Sequence, residues 1–227
     1  MPDRLPLFPL GSVLFPGLTM PLHVFEERYR QLISELLEPA EDAGEARRFG
    51  VVGIELGHEV GATAAHQLSD VGCMAEVRSV RRHDDGRYDL VVEGGSRFRV
   101  EEIDDPDDEH PYLRAATTLI PDELGDGAEE QAERVGRLFR VYCQRLTGIG
   151  LPTKPPADFP ADPLPLSYAV SAALVLDQRD KQALLEADHA AARLELASTL
   201  MRRENRVLNA LPTLPAGQLL RREINLN

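Results

Sequence analysis

The chain has 227 residues, 43% of them hydrophobic, so a core can form without disulfides or metals. Its net charge of −13, from 25 basic and 38 acidic residues, is the wrong sign for phosphate backbones and anionic membranes. Cys73 and Cys143, the only cysteines, do not form a metal-type pair. The opening Met1-Pro2-Asp3-Arg4 does not lead into an apolar signal sequence, and no apolar run approaches the ~20 residues of a bilayer span. A cytoplasmic protein is expected.

The first half reads as β-rich. Leu5–Phe8, Val13–Phe15 and Thr19–Val24 are short extended pieces punctuated by Pro6, Pro9, Pro16 and Pro21, which exclude a helix there. From Glu26 to Glu38, apolar residues recur at three- and four-residue steps (Tyr29, Leu32, Ile33, Leu36), predicting a helix with one buried stripe. Pro39 ends it, and the charged stretch Glu41–Arg48 follows as a connection. Phe49–Leu56 reads as a buried strand, and Val71–His83 alternates, with Val71, Cys73, Ala75 and Val77 on one face. Asp85-Gly86 marks a hairpin turn. The returning strand is interrupted at Gly94-Gly95, where a bulge or bend is expected, and Tyr112–Ile120 is a further strand.

After Pro121 the period changes. Ala128–Leu146 carries a helical stripe, and Thr147–Pro165 holds six prolines and reads as a long connection. Ser167 is a candidate N-cap for a helix running to Leu176 that is apolar nearly all round, as the centre of a bundle would be. Short and long helices are expected over Lys181–Ala187 and His189–Leu211. Strands first and helices later define an α+β chain. The expected division is a β-rich unit over 1–121, a helical unit over 122–211 and a tail over 212–227.

Catalytic motifs are not found. G-x-x-x-x-G-K-[ST] is absent, since Gly148–Lys154 lacks the Gly-Lys step. Gly94-Gly95-Ser96-Arg97-Phe98 approaches G-x-S-x-G but ends in phenylalanine and sits between strands, so Ser96 reads as a solvent-facing turn residue. No two of the six histidines are three to five apart. The acidic run Asp104–Glu109 lacks the central glycine of a calcium loop. No cofactor and no metal are expected.

Leu5-Pro6-Leu7-Phe8-Pro9-Leu10, Phe15-Pro16-Gly17 and Met20-Pro21-Leu22 resemble the opening of the substrate-binding domain of Lon proteases. Phe25-Glu26-Glu27-Arg28-Tyr29, Val71-Gly72, Val92-Glu93-Gly94 with Arg97, Lys181-Gln182 with Leu184-Leu185-Glu186, and Arg193-Leu194-Glu195 continue the resemblance in order over residues 5–200. It implies a PUA-like β pseudo-barrel followed by an α-helical bundle. It also implies a non-catalytic module for unfolded or flexible polypeptides, working with a protease or chaperone and without nucleic acid or membrane. The ATPase and peptidase modules that follow this domain in the full protease are not expected in these 227 residues. Two other functions stay open: a small-molecule-binding protein or enzyme using the cleft between the β and α units, and an assembly scaffold.

From the residues themselves, Phe15-Pro16-Gly17 is a turn, Phe25 and Tyr29 are core positions one helical turn apart, and Arg97 bonds backbone carbonyls or a carboxylate such as Glu93, or meets a ligand. A client is expected either at an unpaired strand edge of an incomplete barrel or in an apolar groove beside the Phe25–Tyr29 helix and the Gly94–Phe98 bend. The candidate contacts there are Tyr29, Arg97 and Phe98, with the Gly150–Pro165 connection as a cover.

Overall fold

The computed structural model describes residues 4–38, 47–57, 65–151 and 160–210. The elements, in chain order, are β1 (Leu5–Leu10), β2 (Thr19–Val24), α1 (Glu27–Leu37), β3 (Arg48–Gly57), β4 (Ala65–Arg82), β5 (Tyr88–Asp104), β6 (Arg114–Ile120), α2 (Ala128–Gly148), α3 (Pro163–Ala173), α4 (Gln178–Glu186) and α5 (Ala190–Ala210). The expected connection at Glu41–Arg48, most of the Pro-rich stretch and the tail from 211 onward fall largely or wholly outside the described residues.

The six strands form one sheet in the order β2-β5-β4-β3-β1-β6, and a further pairing of β5 with β6 closes it. β1 runs parallel to β3, with Leu7 opposite Gly50, and meets β6 only at Leu5 and Pro6. The barrel is therefore closed rather than incomplete, and β2 is left as the terminal strand. Val13–Phe15, expected to be extended strand, forms no strand, and only Pro16 makes an isolated bridge, to Gly94.

Two long strands make closure possible. The first half of β5 pairs with β2 and its second half with β6, while β4 follows it from Arg82 to Val71. The β4–β5 register shifts between Cys73 and Ala75, so Gly94-Gly95 is a bulge within one strand rather than a break between two. The Asp85-Gly86 turn is present, with Gly86 at φ +82. A side chain there would collide with Arg30, whose Nε donates to the Gly86 carbonyl at 2.8 Å and ties α1 to the hairpin.

Three apolar clusters follow. One lies beneath α1, where Tyr29, Leu32 and Ile33 meet Phe8, Phe49 and Val92. A small one fills the barrel, with Phe98 against Leu5, Leu7, Val52 and Ala115. The third is the helical core, which takes in Phe15 and Val71 from the β side. The stripes expected for α1 and α2 are the buried faces. Ser167 does not cap α3: Asp162 does, accepting from the Leu164 amide, while buried Ser167 donates to the Leu164 carbonyl inside the helix. Phe25 is not core, at 48% exposed, because it precedes α1 and stacks on His23 instead. No described helix is long and apolar enough to cross a membrane.

Four tyrosines place their hydroxyls or rings at joints between elements. Tyr29 stacks on Phe8, Tyr112 donates to Glu35 of α1, the Tyr142 hydroxyl accepts from the Val175 amide, and Tyr168 donates to Asp122. Burial is the leading cause that raises the pKa of each, that of Tyr29 to about 12. An unfolded tyrosine ionises near pH ~10. Between that pH and the folded values the native state holds more protons than the unfolded one, so stability falls as pH rises. The expected result is full stability below about pH 10 and a steep loss above it, with tyrosinate absorbance rising together with unfolding. Denaturant titrations from neutral to alkaline pH check this. Tyrosinate forming well before unfolding would contradict it.

Candidate functional site

The three expected client contacts are separated and buried. Tyr29 is 4% exposed, packed between the Phe8 ring at 4.3 Å and the Arg28 guanidinium at 4.5 Å. Phe98 is fully buried in the barrel, and Gly50 and Gly72 make room for it: a Cβ on either would stand 2.6 or 2.4 Å from its ring. The two rings belong to different apolar clusters, and of the two only Tyr29 lines a small surface pocket, with Phe8 and Phe25.

Arg97 joins the barrel to the helices. α4 ends at Glu186, with Ala187 as its C-cap residue, leaving carbonyls that carry the negative end of the helix dipole. Arg97 Nη1 donates to the carbonyls of Leu185 at 2.8 Å and Ala187 at 2.7 Å, and Nη2 to Asp188 at 3.4 Å. Its Nε lies 3.5 Å from Asp122 as an ion pair without a hydrogen bond. Arg193 completes the clamp, donating to Leu184, Ser167 and the same Ala187 carbonyl, with its guanidinium 4.0 Å from the centre of the Tyr168 ring. Burial pulls the Arg193 pKa down to about 10, still far above neutrality. Lys181 Nζ donates likewise to Ser171 and Ala172 at the end of α3, and burial lowers its pKa to about 8. Arg97 therefore bonds backbone carbonyls, as expected, but not Glu93, which pairs with Arg78.

The Phe15-Pro16-Gly17 turn docks on the bulge. The Gly17 amide donates to the Gly94 carbonyl at 2.7 Å and the Gly94 amide to Leu18 at 2.9 Å. Where a groove was expected, beside Phe25 and Tyr29, there is a small pocket of about 60 Å³ lined by Phe8, Leu10, Val24, Phe25 and Tyr29, among others. Ser96 is exposed on β5, and burial drives the Cys73 thiol pKa far above its ordinary range, so the thiol stays protonated. His23 and His83 share the Asp89 carboxylate at 2.6 and 2.7 Å, and the His23 bond is the main cause holding Asp89 below the usual carboxylate range. Among the described residues no group of three or more His, Cys, Asp or Glu could hold a metal ion.

Among the described residues, open space lies between α4 and the β3–β4 strands. A cleft of about 820 Å³ is lined from β3 and β4 by Ile54, Glu55, Gln67 and Ser69, and from α4 and its cap by Asp177, Gln178, Arg179, Gln182 and Glu186, among others. Gln178 fixes one wall, with Nε2 donating to the Ile54 carbonyl at 3.0 Å and the Leu10 carbonyl at 3.4 Å. Gln182 fixes the floor, with Nε2 donating to the Val71 carbonyl at 2.9 Å and Glu186 at 2.8 Å. Eight of the ten residues lining the cleft are polar or charged, while the surface they expose is about evenly polar and apolar. Sequence reasoning missed these residues; the available signal was the polar row Gln178, Gln182 and Glu186 at four-residue steps on a helix that must also bury Leu184 and Leu185.

A closed barrel with an appended strand, clamped by two arginines to a four-helix unit, is the class of module defined here. The model of the ATP-dependent protease La (LON) substrate-binding domain matches residues 4–203, and the chain belongs to that family. It is 25% identical over 210 residues to Lon protease 2 of Syntrophobacter fumaroxidans, covering 90% of this chain and 25% of that protein. Lon protease 2 of Sorangium cellulosum is 29% identical over 218 residues, covering 91% of this chain and 25% of the relative. The chain thus spans about a quarter of the length of these relatives. The N-terminal domain of Mycobacterium avium complex Lon protease shares the fold at a TM-score of 0.65 and 18% identity, covering 88% of this chain and 98% of that one. A Lon N-terminal domain protein from Xanthomonas campestris does so at 0.57 and 23%, covering 92% and 99%.

Proposed function

We propose that this chain binds segments of unfolded or flexible polypeptide without cleaving them, as an adaptor that presents clients to a protease or chaperone. The observation that carries this reading is the open cleft between α4 and the β3–β4 strands, in a chain whose matched family is a substrate-binding domain. An extended peptide has two ways to dock, backbone pairing at a strand edge or side chains in a groove. Closure of the sheet leaves β2 as its terminal strand, and Pro21 sits in the middle of it. Proline has no amide to donate, which blunts an edge for strand addition. The groove route then points to the cleft beside α4, larger than the pockets at Tyr29 and at Leu22–Leu90.

The test is fluorescence anisotropy with a labelled, permanently unfolded polypeptide, run beside ATPase and casein-cleavage assays on the same homogeneous preparation. Saturable binding with no hydrolysis of either substrate is expected. Failure to bind any unfolded chain, or ATP-dependent casein turnover, overturns the proposal.

A further inference from the structure

We infer that the outer face of α2 pairs with the same face of a second copy of this chain, the two helices running antiparallel. Glu129, Glu133, Gly136 and Arg140 recur at four-, three- and four-residue steps, so they share one face of the helix, beside the buried stripe of Ala132, Val135 and Phe139. Glu129, Glu133 and Arg140 are exposed, and Arg140 Nε turns back to the Gly136 carbonyl at 3.2 Å. Charge is ordered along this face. Its first half is acidic and its second half basic, with no acidic residue from Arg134 to Gly148. The helix dipole accounts for Glu129 and Glu130 in the first turn and Arg145 in the last, but its effect does not reach the middle turns. Within the helix, Glu133 meets Arg137 only loosely, at 3.6 Å with both side chains mostly exposed.

Gly136 stands at the centre of this face. Glycine is the weakest helix former after proline, and this one sits mid-helix without a positive φ to require it. Packing does not require it either: among the described residues nothing lies within 4 Å of the place its Cβ would take. A bare backbone there suits the close approach of another helix. The order of charge then selects the occupant. About a twofold axis beside Gly136, an antiparallel copy sets Glu133 opposite Arg140 and Arg140 opposite Glu133, with Glu129 facing Gln144. A partner of uniform charge is repelled by one half of the face, whereas a second copy matches both halves. The net charge of −13 on each copy opposes association, so a modest affinity is expected. The inference goes beyond the polypeptide-binding reading and does not rest on it. Pairing sets two α4 clefts on one particle, which raises avidity for a chain that reaches both.

The test is sedimentation of the whole chain over a concentration series to about 1 mM, with melting temperatures recorded alongside. The parent is expected to pass from monomer to dimer. Glu133→Arg and Arg140→Glu each place like charges at both contacts, and each is expected to weaken self-association about tenfold or more. Mixed together, the two variants are expected to recover it as a one-to-one pair, since like charges in each copy then meet opposite charges in the other. Gly136→Leu is expected to weaken the pair by a similar factor while the dilute monomer melts no lower than the parent, because the position is open and leucine is the better helix former. A parent that stays monomeric over the whole series overturns the inference. So does a dimer that any one of the three variants leaves unchanged, or a mixture that associates no better than its components. Net charge moves in opposite directions in the two charge variants, so weakening in one and strengthening in the other assigns the effect to general repulsion and likewise overturns the inference.

Discussion

Arg97→Met is expected to lower the unfolding free energy by about 3–5 kcal/mol, the cost of removing one partner from a buried charged contact. The Leu185 and Asp188 carbonyls at the end of α4 lose the Arg97 guanidinium as donor, and Ala187 keeps only Arg193, which bonds Leu184 and Ala187 and neither of the other two. In a chain of this size the melting temperature is expected to fall by roughly 10 °C. Arg97→Lys is expected to recover only part of the loss, since an ammonium cannot span carbonyls that the guanidinium fork reaches. Hydrogen exchange is expected to locate the damage, with protection lost first in α4 and at Ala187–Asp188. A variant within about 1 kcal/mol of the parent would mean that the clamp does not hold the two units together.

The second large effect concerns adjacent glycines with opposite outcomes. A Cβ on Gly94 would stand 2.1 Å from the Phe15 carbonyl oxygen and 2.7 Å from its carbon, both main-chain atoms that no rotamer change can move. Gly94→Ala is therefore expected to cost about 3 kcal/mol or more, at the upper end of overpacking penalties. Displacing the turn also displaces Phe15, which is buried against the helical core beneath Lys181, so the loss extends to the joint between barrel and helices. At Gly95 the nearest atoms are the end of the Glu76 side chain at 3.3 Å and Met74 Cβ at 3.4 Å. Gly95→Ala is expected to stay within about 1 kcal/mol of the parent. Denaturant unfolding of the two variants side by side decides the matter; equal effects would remove the docking of the turn as the reason for glycine at 94.

The amino-acid order by itself determined most of the elements and the buried faces of the periodic ones, though not Val13–Phe15 or Phe25. The stripes of α1 and α2, the alternation of Val71, Cys73 and Ala75, and the Asp85-Gly86 turn are local patterns, and helices and strands impose their periods locally. The ordered motifs from Leu5 to Glu195 were enough to identify the family. Tertiary structure alone decided what each buried face meets. Periodicity marks Tyr29 and Phe98 as apolar positions, yet a groove and a core use the same residue types, and only packing put both rings inside. Arg97 finds its carbonyls 88 to 91 residues away, and Gln182 finds Val71 at a separation of 111. No local pattern encodes such distances; they follow from strand order and from the closure of β5 onto β6. The cleft is legible only afterwards, because its walls come from segments more than a hundred residues apart.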